Sequence, residues 1–174
     1  MHRKEQRMFE KFGEFDSAEE LNRAAAAQKA EGDKEALIAL ALENGIEKED
    51  AEDYWDGEVD TLCTVKTAAL AKLSLESKDL KLSGVLMDWV SEIEDMLFDD
   101  AALAAGIRKK GKSLAGYIAL TAEEGFKSRC TVDKRIVALT TEVRKVAGSH
   151  EFAIGIPDRQ ARKRLIREYY GGEA

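Results

Sequence analysis

The side chains best suited to covalent or acid–base chemistry are few: His2, His150, Cys63 and Cys130. A thiol and an imidazole need only be neighbours in space to act as nucleophile and base, so Cys130 and His150 form a conceivable dyad. No local signature surrounds either residue. The plainer reading makes Cys130 a small buried hydrophobe and His150 a loop residue, with His2 in a frayed tail. The sequence contains no HExxH, GxSxG or GxGxxG motif. The two cysteines are too few and too far apart for a disulfide framework or a CxxC metal site, and both are expected as reduced thiols. No catalytic residue, metal or cofactor is therefore expected, and the chain reads as a non-enzyme.

Carboxylates are far more abundant. Residues 43–60 hold nine acids against Lys48 alone, and Asp88 to Asp100 hold six acids and no base. A calcium loop would use such density, but counting from Asp50 puts Tyr54 in its fifth position and Trp55 in its sixth, where glycine is required. Paired acids holding magnesium for nuclease work would need a partnering histidine or lysine motif, which is missing. Two readings remain. The acids form a solvated helix face, or they imitate phosphate spacing and occupy a basic groove of a partner. In the second reading Glu49, Asp50, Glu52, Asp53 and Asp56 make the contact, with Tyr54 and Trp55 supplying aromatic anchors. Glu49, Asp53, Asp56 and Asp60 would share one stripe if their helix ran past Gly57.

Bases gather later in the chain. Arg108, Lys109, Lys110 and Lys112 form one cluster, and Arg159, Arg162, Lys163, Arg164 and Arg167 lie on a final helix beside Tyr169 and Tyr170. Cations next to tyrosines suit nucleic acid, but the same bases could equally pair with acids of the first half. The Asn44-Gly45-Ile46 turn joins two helices of helix-turn-helix size. The second of them is among the most acidic segments of the chain, so phosphates would repel it.

These groups must be positioned by helices. Ser17 and Glu20 make a capping box for a helix ending near Gly32, and Asp33 caps a second one stopped by Asn44-Gly45. A third spans roughly Glu47 to Asp56 and ends at Gly57. Glu58 to about Leu75 reads as helical, with a short hairpin around Glu76–Asp79 as the minority alternative. Leu86, Trp89, Val90, Ile93 and Leu97 follow helical spacing. Asp99-Asp100 cap a helix ending by Gly111, and Ser113 starts one that stops near Gly125. Thr131 precedes a strong helix carrying Ile136, Val137, Leu139, Val143 and Val146 up to Gly148. Pro157 suits the first position of a last helix that ends at Gly171-Gly172. The expected fold is all-α, a multi-helix domain of seven to nine helices. An acidic N-terminal helical module over 1–57 joins a helical core with a basic C-terminal helix over 58–174.

The 174 residues carry a net charge of −7. That figure hides −14 over residues 1–105 and +7 over 106–174. One proline and 35% charged residues exclude collagen-like or low-complexity chains. No apolar run reaches membrane-spanning length and the N-terminus lacks a leader's apolar stretch, so a cytoplasmic location is expected. If the halves attract, Trp89, Ile93 and Leu97 should pack on Ile136, Leu139 and Val143, and the late bases should meet early acids.

Met8-Phe-Glu-Lys-Phe-Gly-Glu-Phe-Asp-Ser17, Glu43-Asn-Gly-Ile46, Glu49-Asp-Ala-Glu-Asp-Tyr54, Arg108-Lys-Lys-Gly-Lys-Ser113 and Gly155-Ile-Pro157 together resemble a family of uncharacterised accessory proteins of conjugative and integrative elements of gut Firmicutes. The resemblance runs from Met8 over most of the chain. It names no functional residue and implies only a context: small acidic proteins of such elements include anti-CRISPR inhibitors. The expected function is a non-catalytic, anti-CRISPR-type inhibitor that occupies a basic nucleic-acid-binding channel of a host nuclease complex. The alternative is a DNA-binding accessory or transcriptional regulator using the basic C-terminal surface.

Overall fold

A computed structural model of the chain describes residues 8–171. His2 and Gly172, named above, lie outside them. The caps read from the sequence set most helix starts. The Ser17 hydroxyl accepts the Glu20 N–H at 3.1 Å and opens α1 (Ala18–Glu31), while the Glu20 carboxylate reaches back to the Asp16 N–H at 2.9 Å. Asp33 caps α2 (Lys34–Glu43), and α3 (Lys48–Asp56) follows the Asn44–Glu47 turn. Thr64, Asp100 and Ser113 cap α4 (Val65–Asp79), α6 (Ala101–Arg108) and α7 (Leu114–Lys127), with α5 (Val85–Leu97) between the first two. After α7 come β1 (Cys130–Thr131), α8 (Lys134–Ala138), α9 (Glu142–Ala147), β2 (Ala153–Ile154) and α10 (Arg159–Tyr170). The fold is all-α apart from the antiparallel β1–β2 pair, with ten helices among the described residues.

Two apolar clusters share α4. Leu21, Ala25, Leu37, Leu40, Ile46 and Tyr54 fill the first, joined by Leu62 and by Ala68 and Ala71 of α4. Ala69 and Leu73, on the other side of α4, enter the second with Trp89, Ile93, Leu97, Leu103, Tyr117 and Ile166. The N-terminal cluster thus draws residues from beyond position 57. Between the clusters lies a buried polar seam of Asn44, Lys72, Glu76 and Arg108. The α10 helix closes the second cluster. Gly106 admits it, because a Cβ there would stand 1.8 Å from the Tyr170 carbonyl oxygen.

Several expectations need correction. Residues 58–64 are not helical, because the Asn22 side-chain amide takes both backbone groups of Cys63, at 2.9 and 3.0 Å, and holds that segment against α1. Helix α4 continues through Asp79, which removes the hairpin alternative. Pro157 precedes the cap instead of starting the last helix, since Asp158 accepts the Ala161 N–H at 2.8 Å and α10 begins at Arg159. The long helix expected after Thr131 is two short ones. Thr140 splits it: its hydroxyl donates to the Val137 carbonyl at 2.8 Å and accepts the Arg144 N–H at 3.1 Å, taking groups a continuous helix would pair internally. No residue of α8 or α9 is buried, so Ile136, Leu139 and Val143 do not pack on α5. Ile166 and Tyr170 of α10 occupy that place. No helix of the described residues is long and apolar enough to cross a membrane.

Candidate partner-binding acidic face

A nine-residue helix such as α3 is marginal on its own, so its position depends on tertiary anchors. Ala51 and Tyr54 are buried in the first cluster and Trp55 packs half-buried against it. Lys29 of α1 completes the anchorage. Its ammonium donates to the Tyr54 carbonyl at 2.5 Å and lies 4.5 Å from the centre of the Tyr54 ring. That places a cation where the helix dipole is negative, a role the α3 sequence does not fill, having no base in its last turn. Gly57, left-handed at φ 83°, then ends the helix.

With Ala51 and Tyr54 turned inward, Glu49, Glu52, Asp53 and Asp56 occupy the opposite arc of α3 and Asp50 stands on its flank. All but the half-buried Glu52 are exposed. Two have basic partners among the described residues: Glu52 with Lys48 at 3.1 Å and Asp56 with Lys34 at 3.7 Å, both at the surface. Asp60 does not continue the Glu49–Asp53–Asp56 stripe, because the helix ends at Gly57. Tyr54 is also removed from the contact set, its ring being 7% exposed and committed to the core. Trp55 keeps an accessible edge.

The second acidic stretch faces the bases. Glu92 of α5 accepts two bonds from the Arg162 guanidinium, at 2.6 and 2.7 Å, and both side chains are only 16% exposed. Arg162 beside it holds the Glu92 carboxyl below the usual carboxylate range. Next to this pair, a cleft of about 590 Å³ separates Asp95, Asp99 and Asp100 from Arg159, Lys163 and Arg167. Arg164 lies 3.6 Å from Glu124 and 3.5 Å from Glu168.

Arg108 must be withdrawn from the nucleic-acid-binding set, since it is wholly buried in the polar seam. One of its nitrogens donates to the Asn44 carboxamide oxygen, and burial pushes the guanidinium pKa down. Lys109 and Lys110 are exposed, whereas Lys112 is half-buried with its ammonium 4.8 Å from the Tyr169 ring centre. The turn they form is organised from beneath by Lys72, whose ammonium donates to the Lys109 and Lys112 carbonyls at 3.0 and 2.7 Å and meets Glu14 at 2.7 Å. Glu76 accepts the Leu114 N–H at 2.8 Å, and burial raises its pKa. Sequence reasoning passed over Lys72 and Glu76. The available signal is their helical spacing from the buried Ala68 and Ala69, which puts them on the inward stripe.

Cys130 and His150 do not assemble a dyad: the thiol contacts the Ser128 carbonyl at 3.8 Å, and no hydrogen bond joins the two among the described residues. Cys63 is buried, which pushes its thiol up to about 11.

No family model matches the chain, and neither a curated protein nor a solved structure does.

Proposed function

We propose that the chain is a non-catalytic inhibitor of the anti-CRISPR type, carried by a mobile genetic element and acting in the cytoplasm. Its acidic α3 face would occupy the basic nucleic-acid-binding channel of a host nuclease complex. The observation that carries this reading is where the acids stand. Asp53 and Asp56 crowd the C-terminal half of α3, where negative charge opposes the helix dipole by about 0.3–1 kcal/mol each. Lys34, 3.7 Å from Asp56, offsets part of that cost, while Glu49, Asp50 and Asp53 stay exposed on the same short helix, a density of negative charge that suits a basic channel. The disposition of the bases supports the same reading. Arg108 is buried, Arg162 is paired with Glu92, and Arg159, Lys163 and Arg167 face carboxylates across their cleft. The basic half is thus partly neutralised within the molecule, which weighs against DNA binding through α10.

The mechanism is electrostatic capture followed by retention: opposite fields speed encounter, and the accessible edge of Trp55 supplies an apolar anchor. Target-DNA cleavage by a purified RNA-guided nuclease, with and without the chain, tests it. Inhibition should be lost in the Asp50→Lys, Asp53→Lys, Asp56→Lys variant. Unchanged inhibition by that folded variant contradicts the mechanism.

A further inference from the structure

Between β1 and β2 the chain forms an arm in which neither α8 nor α9 buries a side chain. Helices of five and six residues are not stable on their own, so the arm's shape rests on the β1–β2 pair and the Thr140 bonds. Where a core would be, the arm has a cleft of about 880 Å³, within the roughly 300–1,000 Å³ of small-molecule sites.

The lining of this cleft divides by chemistry. Val132, Val137 and Phe152 are its half-buried apolar members. Lys134 of α8 and Arg144 of α9 bring a cation from each helix, and neither forms an ion pair with a described residue. Arg144 gives one bond to the Ala138 carbonyl at 3.3 Å, which leaves the other donors of its guanidinium available. Two acids of the arm are engaged by other bases. Asp133 takes the Arg135 side chain at 2.9 and 3.1 Å, and Glu142 takes the Lys145 ammonium at 2.8 Å. Glu151 also lines the cleft. One of its oxygens accepts the Thr131 hydroxyl, and the other has no partner among the described residues.

These features select a ligand class. Two cations without counterions suit an anion with several oxygens. Apolar side chains that include an aromatic ring suit a flat ring system. A carboxylate with a free oxygen repels a simple anion and accepts from an N–H donor. A nucleotide joins the three requirements in one molecule, whereas a bare phosphate or a fatty acid offers Glu151 no donor. A base stacked and paired in a duplex cannot reach into a cleft.

We propose that the cleft of the arm is a nucleotide site. Lys134 and Arg144 hold the phosphate, Phe152 and Val137 meet the base, and Glu151 accepts from the base's amino group. A free nucleotide and an unpaired nucleotide of a single strand share this chemistry. The site uses none of the α3 acids, so it stands apart from the proposed inhibition.

Calorimetric titration of the full chain with 5′-AMP and with 5′-IMP tests the site, beside anisotropy of a labelled oligodeoxyadenylate of about ten nucleotides. AMP should bind with a Kd between about 10 μM and about 1 mM, and IMP, with an oxo group in place of the amino group, more weakly. Binding of the oligonucleotide without AMP assigns the site to a single strand, and binding of AMP assigns it to the free nucleotide. Lys134→Ala with Arg144→Ala should weaken binding about tenfold or more, while Lys78→Ala, an exposed base outside the cleft, should leave it unchanged. Glu151→Gln should erase the preference for AMP over IMP. Amide exchange over 134–147 should slow when AMP is bound, because the ligand supplies the packing that α8 and α9 lack. If the Lys134, Arg144 variant melts below the native chain, the Glu151→Gln comparison and the exchange decide. Failure of AMP and the oligonucleotide to bind, equal binding by the folded Lys134, Arg144 variant, or equal loss in Lys78→Ala overturns the proposal.

Discussion

Replacing Arg162 by methionine keeps most of the side chain's apolar stem and removes its charge. In the native protein that guanidinium gives two bonds to Glu92 and a third, at 2.5 Å, to the Pro157 carbonyl. Breaking a fully buried ion pair costs about 3–5 kcal/mol, and hydrogen bonds to charged groups contribute about 1.5–3 kcal/mol. Both partners here are 16% exposed, so a loss of about 2–3 kcal/mol follows. For a chain of this length that lowers Tm by roughly 4–12 °C. The pH dependence identifies the source. Glu92 has its folded pKa held below the unfolded value of about 4.3, so its contribution is fully present above that value and is lost as pH falls through the folded one. Urea unfolding of the native chain and of Arg162→Met should therefore differ most near neutrality. Once pH falls below the folded value the gap should narrow to about 1 kcal/mol, the part due to Pro157. A difference below about 0.5 kcal/mol at pH 7, or one that does not change with pH, would refute the assignment of this pair as the α5–α10 tie.

Lys29→Met should loosen α3 selectively: loss of the Tyr54 carbonyl bond and the ring contact costs about 1–2 kcal/mol, and amide exchange of α3 should quicken while that of α7 does not. The thiols should separate cleanly. At pH 8 Cys130 reacts with a disulfide reagent and Cys63, with its thiol pushed up to about 11, does not until denaturant is added. Two thiols titrating at equal rates in the native chain would contradict the burial of Cys63.

Much of this architecture was legible because helix caps are local. Ser17, Asp33, Asp100 and Ser113 each satisfy an orphan N–H within three residues, and each stands where its helix begins. The segment after Thr131 is decided by non-local contacts. Ile136, Val137, Leu139, Val143 and Val146 have helical spacing, but only Thr140's hydrogen bonds and the prior claim of α10 on α5 decide that they stay outside. The acidic face was visible as composition. That its C-terminal half rests on Lys29, nineteen residues before α3, could not be read from α3 itself. Arg108 misled for a simple reason: in a run of bases nothing marks the one that packs inward, and its partner Asn44 lies 64 residues away.

We propose that the α3 carboxylates stand in for phosphates. Equilibrium binding of the chain to an RNA-guided nuclease complex, measured with and without bound target DNA, tests it most directly. Mimicry predicts mutual exclusion, a steep fall in affinity with salt, and loss of binding for Asp50→Lys, Asp53→Lys, Asp56→Lys. That variant should remain folded, because lysines at 53 and 56 suit the C-terminal end of the helix dipole. Simultaneous binding of chain and target DNA, or equal binding by the reversed variant, contradicts the account.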